Sequence, residues 1–478
     1  MSRKPRSFES LYLALQPLML NVINFPAMAY IVRRQGDVNF GQWQTAMTLT
    51  TTLAVLAHVG LRPYFVRAMA QDHASVGRRL AEQLALRMSL ALVAGALAVG
   101  SCLALGYSKT VLACTAVGSV GILFSALSEC FADVLEALER FLAYTNSIFV
   151  GGLLLTAASV LVCYWGGGPV ALAMSYLILP AFNALAMGSV VQKIAPIRLH
   201  FDVARWKELL FECRLAARAV FFGSFEERAE TLVLPKVSGY ADNGIFAAGS
   251  IPASRLISIP SGLSSFYFPR LARRQAQGRD LNETIMHMLT LLLLFTLPAA
   301  LGVRFLSDWV STILFPDSPE LCAKVMALTA WSLPVTGFWF GFTVALQATG
   351  RIDQAARAEL RTILIGFGAT IVLVIQFGVM GAVMSYLVRA GLSVTLLLPL
   401  CWGPFHRAIL SMPWLKIGLA AAAMEAVFQV SHALHLGLAA TLVGGAVGGT
   451  LAYAAVLAVT GILTPHRLKV MLSGGGDD

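Results

Sequence analysis

Fourteen apolar runs follow one another along this 478-residue chain. They lie near 10–31, 40–66, 84–106, 110–133, 145–165, 169–192, 218–237, 243–268, 284–306, 322–349, 360–378, 380–400, 413–434 and 436–463. A helix needs roughly 20 apolar residues to cross the hydrocarbon core of a bilayer, and most of the runs are about that long. An outer-membrane barrel would instead show alternating segments of roughly 10 residues. Only 13% of the residues are charged, against roughly 25% in a soluble domain. The fold class is therefore all-α and polytopic, with about 14 transmembrane helices.

The charges orient the runs. With the N-terminus placed in the cytoplasm, 26 of the 35 Lys and Arg, Arg62 and Arg87 among them, fall on inward loops or the adjoining run ends, six fall on outward ends, and Arg228, Arg255 and Arg389 lie deeper within spans. That bias is what the positive-inside rule requires, and it puts both termini in the cytoplasm. The net charge of +10 then faces anionic inner-leaflet lipid. No separate basic domain is present for nucleic acid. The first run is interrupted by Gln16, Pro17, Asn21 and Asn24 and lacks a clear cleavage site, so it reads as a retained helix and not a signal peptide.

An internal repeat sets the organisation. Gly36, Gly41 and Tyr64–Arg67 match Gly239, Gly244 and Tyr267–Arg270 at a shift of 203. Ala173–Leu177 matches Val383–Leu387 at a shift of 210, and Leu135–Arg140 aligns with Leu346–Arg351 at 211. The repeating unit holds six spans, an even number, so the copies enter from the same side as parallel repeats. The expected lobes are 1–192 and 218–400. The basic, amphipathic stretch 193–217 joins them, and 401–478 adds two helices and a tail. In the last helix, Gly444, Gly445, Gly448 and Gly449 form two overlapping Gly-x-x-x-Gly pairs suited to close packing.

The stretch Gly223–Arg270 carries the densest intramembrane charge: Glu226, Glu227, Arg228 and Glu230 in one span, Arg255 in the next. Each such charge costs roughly 2.5–3.5 kcal/mol at the middle of a span and therefore tends to face a wet interior or a partner. Two outcomes are open: a cavity role, or a closed ion-pair network locking the two spans together. Glu226 and Glu230 share a helical face. Glu227 points about 100° away, so the three acids cannot all serve one site. Thr52 stands at the repeat position of Arg255, so this charge is expected in the second copy alone.

Phe25–Ala70, with its Gly36-to-Gly41 turn, resembles the opening of the multidrug/oligosaccharidyl-lipid/polysaccharide (MOP) flippase superfamily. Gly223–Arg270 is similar to the start of its second lobe, with Arg228-Ala229-Glu230 where Arg-x-Asp is common. Leu346–Arg351 and Phe377–Ser385 are further similar stretches. The resemblance covers about 10–400 and is strongest to the polysaccharide-biosynthesis branch. It implies two six-helix lobes around a central cavity lined by helices 1, 2, 7 and 8, with alternating access. The implied cargo is an undecaprenyl-pyrophosphate-linked oligosaccharide, flipped across the bacterial inner membrane. A polysaccharide polymerase and a chain-length regulator are the implied protein partners. The lipid II branch has an arginine cluster early in helix 1, where this chain has Asn21 and Asn24.

For such a cargo, Arg255 and Arg228 are the candidates for the pyrophosphate, because a guanidinium stays charged and binds phosphate bidentately. Asn21 and Asn24 are candidates for sugar hydroxyls. Glu227 and Glu230 are candidates for coupling to a proton or Na+. Trp331, Phe338, Trp339 and Phe340 form an aromatic cluster read mainly as packing. Arg389 and Glu425 are isolated intraspan charges, and His432 and His435 a weak metal pair. No phosphate-binding Gly-x4-Gly-Lys loop, catalytic cluster or metal-ligand spacing is found, so neither ATP hydrolysis, an enzymatic activity, a cofactor nor a metal is expected. A multidrug-type cation exporter, a lipid II flippase and a membrane glycan polymerase or ligase are the alternatives.

Overall fold

A computed structural model describes residues 7–58, 60–195, 200–316, 319–434 and 438–463, with the side chains of 7–15, 17, 18, 21, 215–219 and 438–440 excepted. Among the described residues the secondary structure is helical throughout, with no strand. In a bilayer every backbone N–H and C=O must be paired within the chain, and helices achieve this locally.

The elements run α1 Ser7–His58, α2 Arg62–Gln71, α3 Val76–Ala104, α4 Lys109–Ala137, α5 Phe141–Tyr164, α6 Pro169–Tyr176, α7 Ile178–Val191 and α8 Val203–Glu212. They continue with α9 Arg214–Glu227, α10 Ala229–Val237, α11 Tyr240–Leu256, α12 Ser258–Ala276 and α13 Asn282–Leu314. The last are α14 Pro319–Thr329, α15 Ser332–Ala348, α16 Ile352–Leu410, α17 Trp414–Ala433 and α18 Leu438–Val459. α1 breaks at Gly36 (φ 70°) and α16 at Gly378 (φ 55°), so each is two passes. α6–α7, α9–α10, α11–α12 and α14–α15 are single passes interrupted midway. Among the described residues this gives the fourteen passes expected. Among the described residues, eight helical stretches are long and apolar enough to cross a membrane by length and composition. The charge-bearing 214–237 and 240–276 fall outside that set.

The repeat is visible in the backbone. Gly36 and Gly239, 203 residues apart, both take positive φ (70° and 96°). Glu139 (φ 55°) stands where Gly350 (φ 73°) stands in the second copy, 211 residues on. The hydrogen bonds agree there too: Arg140 N donates to Leu135 O and Arg351 N to Leu346 O, both at 2.8 Å.

The chain divides into two compact units, Met1–Gly244 and Ile245–Asp478. In the first, Phe65 and Met69 of α2 pack with Leu80, Leu84, Leu135 and Val191. α8 closes this core with Leu209, and Asp202 caps it by accepting from Arg205 N at 3.0 Å. In the second unit, α13 is the central helix, contributing Leu289, Leu292 and Phe305 to the core. Phe305 stacks on Phe428 of α17 with centroids 4.2 Å apart. Of the two glycine pairs in α18, Gly445 and Gly449 make the close contacts: a Cβ on either would overlap the ring of Phe305 or Phe428. Lipid tails are as apolar as leucine, so such steric fit carries helix association that the hydrophobic effect does not.

Candidate functional site

The charged stretch singled out in the sequence lies on two interrupted passes. α9 ends and α10 begins at Arg228, whose backbone (φ −117°, ψ 13°) leaves the helix. In the second unit, α11 ends at Leu256, one residue after Arg255, and α12 resumes at Ser258. Interrupted membrane helices leave backbone groups and helix ends unpaired at mid-depth, and binding sites use them.

Around the first break, Arg228 Nη1 is 3.6 Å from Glu227 Oε2. Glu227 is 72% exposed, so the pair is weak. Glu230 lies in the first turn of α10 and is buried, where the helix dipole favours a carboxylate. It has an interaction partner, as does Glu226. Arg255 is exposed and, among the described residues, its side chain makes no hydrogen bond or ion pair. It is therefore a guanidinium left available to an anion.

Two polar residues of α1 are paired within the first unit. Asn24 Oδ1 accepts from Thr156 Oγ1 of α5 at 2.5 Å, and Gln16 Nε2 donates to Asn146 Oδ1 at 2.8 Å. Among the described residues, Asn24 Nδ2 makes no hydrogen bond. The side chain of Asn21 lies outside those described. Several minor candidates resolve into packing. Phe338 stacks on Trp414 with centroids 5.7 Å apart. Arg389 is buried with its guanidinium 5.3 Å from the Tyr386 ring centroid. Glu425 Oε1 accepts from Arg304 Nη1 at 2.6 Å, and His432 packs edge-on against Phe305. His435 lies outside the described residues. Among the described residues no cluster of three or more His, Cys, Asp or Glu is placed to hold a metal.

A second charged group sits in the first unit, and the sequence reading missed it. Arg87 of α3 is fully buried. Its Nη2 lies 2.9 Å from Asp133 Oδ2 and its Nη1 3.6 Å from Glu129 Oε2. Asp133 Oδ2 also accepts from Gln83 Nε2 at 2.5 Å. Arg62, opening α2, approaches Asp133 at 3.6 Å and Glu136 at 2.6 Å. Burial opposes the Arg62 charge, but hydrogen bonds to Glu136 and Tyr144 outweigh it and raise the guanidinium above its ordinary value. His58 Nδ1 is 2.7 Å from Glu129 Oε2. Glu129, Asp133 and Glu136 fall at i, i+4 and i+7 of α4, one face of a helix, and that spacing was legible. Arg62 and Arg87 lie at the inward ends of their apolar runs and count among the inward charges, so nothing in the chain's order pairs them with it. Glu129 and Arg62 also border a cavity of about 370 Å³ inside this unit, which Tyr144, Tyr176, Asn183 and Ser125 help to line.

A family model described as "Polysaccharide biosynthesis protein" matches residues 36–323, more than half of the chain. Among solved structures, the fold is similar to one titled "Lipid II flippase MurJ, inward closed conformation". The TM-score is 0.65 at 15% identity, covering 93% of this chain and 98% of that one. It is also similar to an inward-facing multidrug resistance MATE family transporter of the MOP superfamily. That match has TM-score 0.57 at 12% identity, covering 77% and 93% of the two chains. Among curated proteins, no sequence relative matches.

Proposed function

The chain belongs to the polysaccharide biosynthesis protein family of the MOP flippase superfamily, and from that membership we propose that it flips a polyprenyl-pyrophosphate-linked oligosaccharide across the bacterial inner membrane. The transport is by alternating access, without ATP, and feeds surface or exopolysaccharide assembly. Its lobes are 1–192 and 218–400, joined by 193–217 and followed by two added passes in 401–478, with both termini in the cytoplasm. A polysaccharide polymerase and a chain-length regulator receive its product.

The observation that carries the proposal is the unpaired guanidinium of Arg255 beside the break between α11 and α12. Holding an uncompensated cation within a membrane pass is costly unless an anion visits it, and a lipid-linked pyrophosphate is such an anion. Arg228, at the break of the preceding pass, is the second phosphate ligand. Asn21 and Asn24 are the proposed partners of the glycan hydroxyls, and Glu227 and Glu230 are proposed to balance the arginines when cargo is absent.

The test is Arg255→Ala in a strain dependent on this chain. Lipid-linked repeat units accumulate on the inner leaflet while the protein inserts at the normal level. Full export by the variant removes Arg255 from the site. Accumulation on the outer leaflet would point instead to a polymerase or ligase.

A second reading, export of an organic cation, has one observation in its favour: the Glu129-bordered cavity inside the first unit. Drug resistance in a sensitised strain, unaffected by Arg255→Ala, would support it.

A further inference from the structure

We propose that α8, in the stretch that joins the two repeats, carries a docking surface for acidic phospholipid of the inner leaflet. The inference does not depend on which cargo the chain moves.

α8 presents three stripes, and the core of its unit uses one. At about 100° per residue, Trp206, Leu209 and Cys213 share one side of the helix. Leu209 is fully buried, and Trp206 and Cys213 pack against the same cluster, which gathers the inward ends of α3, α4 and α7. Hydrogen bonds fix the segment there. His200 N donates to Ala81 O at 3.2 Å, and Arg205 Nη2 donates to Tyr64 Oη at 2.7 Å.

A second stripe is apolar and basic, and the unit leaves it open. Val203, Lys207, Leu210 and Phe211 fall within an arc of about 100°. Val203 is 58% exposed and Phe211 65%, and Phe201, just before the helix, is 64% exposed. Arg214 belongs to this stripe through Phe211. Its guanidinium carbon lies 3.8 Å from the centre of the Phe211 ring, and its Nη1 donates to Phe211 O at 2.7 Å. Among the described residues, Lys207 makes no hydrogen bond or ion pair.

The acids take the third stripe. Glu208 and Glu212 are turned about 110–150° from the centre of the second one. Glu208 holds Arg205 at 2.7 Å, so that cation is engaged on the acidic side. The apolar stripe keeps Lys207 and Arg214 with no carboxylate between them.

Single exposed apolar side chains are ordinary on a protein surface. Here three are gathered around two cations, and the acids are sorted away from them. A helix surrounded by water gains nothing from that sorting. A helix lying in a membrane interface sinks its apolar side chains below the headgroups and holds Lys and Arg at the depth of the phosphates. An anionic leaflet attracts such cations, and the stripe has no acid to oppose it. Lipid is also the medium at hand, because the cluster beneath α8 is built from the inward ends of membrane passes.

The experiment uses the full-length protein in nanodiscs. Cys213 is replaced by Ser, the other six cysteines being buried, and one bimane reporter is attached through Val203→Cys or, separately, Glu212→Cys. Lipids brominated on the acyl chain quench a fluorophore that they touch. With brominated phosphatidylglycerol, the reporter at position 203 loses most of its emission, and the one at position 212, on the far side of the helix, keeps most of its own. Equal losses at the two positions, or no loss at 203, overturn the docking surface. At equal mole fraction, brominated phosphatidylcholine quenches the 203 reporter less than brominated phosphatidylglycerol does, and Lys207→Gln with Arg214→Gln removes the difference. Equal quenching by the two lipids with Lys207 and Arg214 in place overturns the assignment to acidic lipid. A 203 reporter shielded from aqueous iodide only in discs that hold two copies puts a second copy of the chain on the stripe, and overturns the lipid assignment as well.

Discussion

Gly41 and Gly244, equivalent positions of the internal repeat, pack against each other backbone to backbone. A Cβ on Gly41 would overlap the carbonyl oxygen of Tyr240 and lie 2.9 Å from Gly244 N. One on Gly244 would overlap the carbonyl oxygen of Asp37 and lie 3.0 Å from Gly41 N. Asp37 and Tyr240 are also 203 residues apart, so the contact is its own mirror under the repeat. Asn243 pins it: fully buried, its Nδ2 donates to Thr45 Oγ1 at 2.9 Å and approaches Gly41 O at 3.4 Å.

Substitutions at the two kinds of glycine in α1 should therefore separate. Gly36→Ala meets nothing within 4 Å and is strained only by its backbone (φ 70°, ψ 178°), at about 1–3 kcal/mol. Gly41→Ala forces backbone apart at the crossing. Its unfolding midpoint should drop well below that of Gly36→Ala, with Gly244→Ala behaving like Gly41→Ala. Equal midpoints for Gly36→Ala and Gly41→Ala would argue against so close a crossing.

The buried pair Arg87–Asp133 makes a sharper energetic prediction. Removing one partner strands the other away from water, at about 3–5 kcal/mol. Arg87→Met and Asp133→Leu should each be strongly destabilising, while the double variant recovers much of the loss. A double-mutant cycle in detergent unfolding measures this; additive losses would mean that the two residues do not act as a pair.

Glu139 holds a positive φ where the second copy has Gly350. Non-glycine residues pay roughly 1–2 kcal/mol for that conformation. Glu139→Gly should raise the unfolding midpoint and Gly350→Ala should lower it. The opposite ranking would show that the Glu139 side chain makes contacts worth more than its strain.

Among the second-stretch charges, the proposed role of Arg255 and the burial of the two acids rank the expected effects on export. Arg255→Ala should abolish it. Glu230→Gln, at a buried position, should impair it more than Glu227→Gln, whose residue is 72% exposed. Measuring surface glycan at matched protein levels checks the order, and an inactive Glu227→Gln beside an active Glu230→Gln would reverse the assignment.

Sequence alone determined the membrane class, the fourteen passes and the repeat, because each rests on local pattern: run length, turn glycines and recurring short motifs. It also marked Gly223–Arg270, since a charge inside an apolar run is conspicuous without any partner. The small-residue pairs of the last helix were legible, though only packing showed that Gly445 and Gly449, and not Gly444, meet the rings of Phe305 and Phe428. The charged group of His58, Arg62, Arg87, Glu129, Asp133 and Glu136 was decided by the tertiary structure. Its members come from four helices, and Arg62 and Arg87 counted only as inward charges until α2 and α3 folded against α4. A helix's own spacing fixes which residues share a face. Which charges stand opposite that face depends on how distant passes pack, and a one-dimensional pattern carries no record of it.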